Sequence, residues 1–235
     1  MSSSWERPAA ALVSDLQGIF GGRLTSVVAY GGPVDGNARA PLTSLVLVAN
    51  LTLPDLEACA RRAPHWERGG VATPLLLPED EFRRSLDAFP LEFGEIIRAH
   101  RRLFGTDPFD GLTIPRDHLR TACETQIKSH LLHLREGYIE SHGDPAAVAR
   151  LVSASAPAFT ALLRNVARLN DVSTSEHMDA TRAGARAAGV PDGLVSDLLT
   201  LEQPSAMPAA DPARLLPAYL DAVEQLARTI DTWRV

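Results

Sequence analysis

The residue types that could do chemistry gather between positions 27 and 50, VVAYGGPVDGNARAPLTSLVLVAN. Gly31 and Gly32 follow a short β-branched run, Gly36 comes five residues after Gly31, and Pro41 precedes a second apolar run. Without a Cβ, glycines let backbone N–H groups come close to an oxyanion, which suits a phosphate. Arg39 and Arg23 lie close to this turn in sequence, and guanidinium pairs well with phosphate; ordinary surface charge accounts for both as readily. Asp35 adds a negative charge inside the turn and works against tight anion binding. No Asp or Glu occurs between Asp35 and Asp55.

Two histidines, His130 and His133, are three apart on one helical pattern and could share a metal ion. No adjacent third ligand is evident, so they read as ordinary helix-surface or interface histidines. Cys59 and Cys123 are the only cysteines and lie far apart, which suits reduced, packed thiols and not a disulfide framework. The arginines 98, 101 and 102 are interleaved with Ile96, Ile97, Leu103 and Phe104, a pattern in which aliphatic stems cover core.

The elements that must position these residues change character near residue 112. Leu12, Leu16 and Phe20 are four apart and predict a helix over 8–20 that stops at Gly21-Gly22. Residues 26–30 and 45–49 predict strands, Pro54 to Glu57 opens a helix, 71–77 predicts a third strand, and Pro78 to Glu81 opens a short helix. Residues 91–104 fit strand and helix equally. From 113 onward only helices are expected: one over 116–139 with Leu119, Cys123, Ile127, Leu131, Leu134 and Tyr138 on its buried face, one launched by Asp144-Pro145, and one launched by Asp211-Pro212. The segment 203–212, QPSAMPAADP, reads as a linker because its prolines cannot continue a helix. The reading is α+β, with a mixed-sheet α/β domain over 1–112 followed by an all-α bundle of about five helices over 113–235.

At 235 residues, 45% hydrophobic and 22% charged, the chain has the length and composition to bury a core. A net charge of −6 offers no overall positive field, so nucleic acid is not an expected partner. No stretch approaches the roughly 20 uninterrupted apolar residues that span a bilayer, and MSSSWERP lacks the order of a signal peptide, so a cytoplasmic chain with no membrane partner is expected. Lys128 is the only lysine among 23 basic residues, a bias that suits a GC-rich bacterial genome.

The strand, the glycine pair, Gly36, Pro41 and the second strand together resemble the signature of the nucleotidyltransferase superfamily, whose fold is shared with DNA polymerase beta, and in particular its bacterial aminoglycoside-type and minimal members. The resemblance continues through Phe89-Pro90-Leu91-Glu92, Arg98 to Gly105, Asp107-Pro108-Phe109 and Leu119-Arg120, and covers most of the first 140 residues. It implies a glycine turn against a triphosphate and an Asp-x-Asp step holding two Mg2+ ions, with a later third carboxylate as ligand or base. Nucleotide contacts are then expected at Gly31, Gly32, Gly36, Arg39, Thr43 and Ser44.

In that correspondence Gly32 stands where the family has Ser, Asp35 where it has Arg, and the two Asp positions fall on Ser44 and Val46. Neither can serve a hard dication, which needs carboxylate charge. Glu92 and Glu95 lie near the place of the third carboxylate and are weak candidates for it; solvation or pairing with nearby arginines explains them as well. Arg135 and His142 have the spacing of a loose ribonuclease motif found in helical domains accompanying minimal nucleotidyltransferases, a spacing that arises readily by chance. The implied protein is a catalytically degenerate relative that binds a nucleotide, a small ligand or a protein partner, a second copy included. No resident metal or other cofactor is expected in it. The alternative is an active enzyme that passes a nucleoside monophosphate to a small-molecule or protein acceptor, with Mg2+ held by Asp35 and Glu92 or Glu95.

Overall fold

The structure, a computed structural model, describes residues 5–35, 40–170, 172, 177–202 and 211–233. It forms two compact units, Met1–Ile114 and Pro115–Val235. In the first, helix α1 (Glu6–Phe20) buries Ala9, Leu12, Leu16 and Phe20 along one face and ends where Gly21 turns to a φ of 55°. Strands β1 (Leu24–Tyr30) and β2 (Thr43–Val48) follow, then α2 (Leu53–Arg68), β3 (Leu75–Pro78), α3 (Glu79–Ser85), α4 (Pro90–Arg98) and β4 (His100–Gly105). The sheet order is β3-β2-β1-β4, with β2 and β3 parallel and the other pairs antiparallel. This is the mixed sheet expected.

Two local expectations change. The third strand is shorter than 71–77: Val71 makes a single bridge to Leu42, and continuous pairing begins only at Leu75, after Pro74, which cannot donate to a ladder. The stretch 91–104 is neither helix nor strand throughout. It is a helix to Arg98, an extended Ala99 at φ −144°, and then a strand.

Both faces of the sheet are covered, so its central strands carry nearly continuous apolar runs. On one face Val27, Ala29, Leu42, Val46 and Val48 pack against Leu12, Leu16 and Phe20 of α1 and Trp66 of α2. On the other, Val28, Leu45 and Leu47 pack beneath Phe82, Phe93, Ile96 and Phe109. The Phe82 ring meets Phe93 and Phe109 edge to face at 5.2 and 5.7 Å, a favoured aromatic geometry.

The second unit is helical among its described residues: α5 (Arg116–Glu140), α6 (Pro145–Leu169), α7 (His177–Ala188), α8 (Asp192–Leu201) and α9 (Pro212–Thr232). Asp144 and Asp211 act as the expected N-caps, accepting from Ala147 N and Ala213 N. Among the described residues α6 is the one helix long and apolar enough to cross a membrane. Its Val152, Phe159, Leu162, Leu163 and Val166 are buried, and it packs against α5, α7, α8 and α9. The buried face of α5 fades toward its C-terminus, where Tyr138 is exposed instead of buried as the spacing suggested. Residues 203–210 of the expected linker lie outside the described residues.

Candidate functional site

Strand β1 ends at Tyr30, and the chain turns through Gly31 and Gly32 at φ values of 57° and 43°. Both positions also lack room for a side chain. A Cβ on Gly31 would sit 3.2 Å from Thr43 Oγ1, and one on Gly32 would sit 2.9 Å from the Pro41 carbonyl oxygen. A single 3-10 turn over Gly32–Asp35 follows, with Val34 N donating to Gly31 O at 2.9 Å. The glycines therefore let the chain leaving β1 pass close to the chain entering β2, whatever else they do. Gly36 and Arg39 lie outside the described residues.

The chain re-enters the sheet through Leu42, whose N–H donates to Gly70 O and whose carbonyl accepts from Ala72 N. The Thr43 hydroxyl then donates to the Tyr30 carbonyl oxygen, tying β2 to the end of β1. Because side chains alternate along a strand, Thr43, Leu45 and Leu47 share one face, and Ser44, Val46 and Val48 share the other. The second group faces α1 and α2. Ser44 is 1% exposed and Val46 0%, and Ser44 Oγ is the one buried side-chain polar atom without a hydrogen-bond partner among the described residues. The positions matched to the Asp pair therefore lie within the hydrophobic core. A ligand contact by Ser44 does not fit this placement.

Glu92 and Glu95 lie on α4. Glu92 is exposed, and Glu95 is partly buried with Arg98 3.5 Å away, which matches the arginine-pairing explanation. Arg23 stands at the opposite end of β1 from Gly31. Seven strand residues separate them, roughly 25 Å at strand rise. Its guanidinium grips Asp55 in a fork at 2.7 and 2.8 Å, and Asp55 also closes a capping box with Thr52 at the start of α2. The hydrogen bonds from Arg23 and Thr52 hold the Asp55 carboxyl well below the usual carboxylate range. Arg23 is thus a clamp between strand and helix and is not placed to contact a phosphate at the turn.

Sequence reasoning placed His100 and Asp107 in segments that carry the resemblance but missed that they pair. His100 pairs across β4 with Tyr30; its Nδ1 lies 3.1 Å from Ile96 O and its Nε2 3.0 Å from Asp107 Oδ2. Burial raises the Asp107 pKa, but the hydrogen bonds from His100 and Phe109 N, with the nearby Arg102 charge, outweigh it and leave the carboxyl below its ordinary value. This link fastens the loop after β4 to the C-terminal end of α4. Only a histidine seven residues before an Asp hints at it in sequence.

In the helical unit the two histidines separate. His133 is exposed with Glu136 3.2 Å away, while His130 lies against Phe159 and Tyr219, with Tyr219 Oη 2.7 Å from its Nε2. Burial, helped by the neighbouring His133, pulls the His130 pKa down to about 4. The unfolded chain takes up this proton near pH 6.5 and the folded chain does not, so His130 supports stability above pH 6.5 and that support is lost as pH falls toward 4. The loss reaches up to about 3 kcal/mol. In urea titrations, His130→Gln should flatten the difference in stability between pH 7 and pH 4.5. An unchanged slope would mean His130 titrates normally. Arg135 is committed to Glu224 at 2.7 Å, and His142 follows the end of α5 at a φ of 52°.

No family model matches the chain, and no curated protein matches it. Among solved structures it resembles the crystal structure of spectinomycin adenyltransferase AAD(9) from Enterococcus faecialis with ATP and spectinomycin, at 11% identity and a TM-score of 0.60, over 96% of this chain and 99% of that one. The sheet with its glycine turn and the helices that follow thus make a nucleotidyltransferase-like fold.

Proposed function

We propose that the chain is a catalytically degenerate nucleotidyltransferase-like protein, in which the turn from Gly31 to Gly36 and the adjoining strand ends hold a nucleotide or similar phosphorylated small ligand without a metal ion. The observation that carries this reading is that β2 presents no carboxylate on either face. Ser44 and Val46 point into the α1/α2 core. A shift of one residue brings in Thr43 and Leu45, but the Thr43 hydroxyl is spent on the Tyr30 carbonyl and Leu45 is 1% exposed beneath the phenylalanine cluster. A dication bridging phosphates needs carboxylate oxygens, and this donor set does not fit Mg2+. Positive potential for a phosphate would come from the backbone N–H groups of the glycine turn and, on its place in the sequence alone, from Arg39.

The test is a thermal-shift series with ATP, CTP, GTP and UTP, each in EDTA and in Mg2+. A ligand that binds only the folded state at 100 times its Kd adds about 2.7 kcal/mol, a shift of a few degrees. The expected result is a rise as large in EDTA as in Mg2+. Stabilisation that requires Mg2+ would overturn the reading in favour of a transferase with Asp35, Glu92 or Glu95 as unconventional ligands, a direction consistent with the ATP bound to the adenyltransferase of similar fold. No shift with any nucleotide would also overturn it and move the function to a protein partner or a second copy of the chain.

A further inference from the structure

We propose that the open edge of β4, with the groove between it and α1, binds an extended acidic peptide by strand addition. β4 is an outer strand of the sheet, paired among the described residues only to β1. Beside it lies a groove of about 370 Å³, lined by Trp5, Ala9 and Val13 of the α1 side and by Arg101, Arg102 and Leu103 of β4. A strand edge next to a helix offers main-chain hydrogen bonds along one wall and room for alternate side chains along the other, the geometry by which sheets capture extended peptides.

The two outer strands differ. β3 is flanked by Pro74 and ends at Pro78, and proline blunts an edge. β4 contains no proline and carries two exposed arginines. The Arg101 guanidinium lies over the Trp5 ring at 5.3 Å, which fixes its positive charge on the Trp5 side of the groove. Glu6, in the first turn of α1, is the one carboxylate among the described residues lining the groove. Like charges set opposite each other across strands are destabilising, so the arginines disfavour pairing with a second β4 and favour an acidic strand. The pairing with β1 shifts between Val27 and Val28, where Leu103 is the extra residue, so the regular edge open to a peptide is His100 to Arg102.

The test uses a fluorescein-labelled nonapeptide of alternating Glu and Val, its Lys-Val counterpart, and a Glu-Val version N-methylated at alternate residues, titrated with the full chain by fluorescence polarisation. The Glu-Val peptide should bind at least ~10-fold more tightly than the other two. The Arg101→Glu/Arg102→Glu variant, its fold checked by circular dichroism, should reverse the preference toward Lys-Val. Where that variant misfolds, Arg102→Gln alone should weaken Glu-Val binding at least ~3-fold. Equal binding of the acidic and basic peptides, indifference to N-methylation, or no binding would each overturn the proposal. So would self-association in sedimentation that the charge reversal abolishes, because the edge would then belong to a second copy.

Discussion

Val46→Asp is expected to unfold the N-terminal unit, with a loss of about 4 kcal/mol or more in urea denaturation followed by Trp66 fluorescence. Val46 is 0% exposed and lies in the cluster that joins β2 to α1 and α2. The cluster around it offers an aspartate no cation, and the indole N–H of Trp66 in that cluster is already held by Asp15 at 2.9 Å. The aspartate must either bury a charge or take up a proton, and it also leaves the space of the lost methyl group poorly filled. Ser44→Asp, at 1% exposure beside an already unpartnered hydroxyl, should behave similarly. Thr43→Asp, one residue earlier, is partly exposed and should cost only about 1–2 kcal/mol, for the hydrogen bond to Tyr30 O. The contrast between neighbours measures where the strand passes from the surface into the core, since both its faces are covered beyond Thr43. A Val46→Asp chain that keeps its urea midpoint, or gains stability when Mg2+ is added, would place that position on a ligand-facing surface and return the Asp-pair correspondence to Ser44 and Val46.

The register of β2 is where sequence reading stopped. The α1 helix, β1, β2, the start of α2 and the Asp-Pro helix starts at 144 and 211 were legible because each rests on a local signal: a four-residue apolar spacing, a glycine stop, a capping side chain. Thr43 to Val48 reads TSLVLV and is buried on both faces beyond Thr43, so it has no polar-apolar alternation to reveal which residues share a side. Only the partners, α1 and α2 on one face and the Phe82 cluster on the other, decide it. For the same reason Arg23 looked close to the glycine turn by residue count, although an extended strand carries it to the far end of the sheet. The glycine pair itself was legible as a tight turn. Its spatial cause, the close passage of Thr43 and Pro41, depends on residues about ten positions away. Most of the candidate site is therefore a reading of the turn. The absence of carboxylates was plain from sequence, while the direction in which the replacing side chains point required the fold.

Gly184→Ala should destabilise the helical unit by about 3 kcal/mol or more, although alanine is the better helix former by about 1 kcal/mol. Gly184 lies in α7, and a Cβ placed there would fall 1.7 Å from the Leu163 carbonyl oxygen and 3.1 Å from Ala167 N of α6. These are backbone atoms inside a helix, so no side-chain rotation relieves the clash, and one helix must move away from the other. The neighbouring α7 residues Thr181 and Ala185 are 0% exposed, and Ala188 is 2%, so a separation wide enough for a methyl group would open the whole small-residue contact and not a single point. Gly18→Ala provides the opposite sign. Gly18 lies inside α1 and is exposed, and no atom stands within 4 Å of the place a Cβ would take. The same substitution there should add about 0.5–1 kcal/mol through helix propensity and a less free unfolded chain. Paired urea titrations of the two variants, read by circular dichroism, test the prediction. A Gly184→Ala chain as stable as the parent would mean that α6 and α7 do not meet backbone to backbone, and the packing of the bundle around α6 would have to be redrawn.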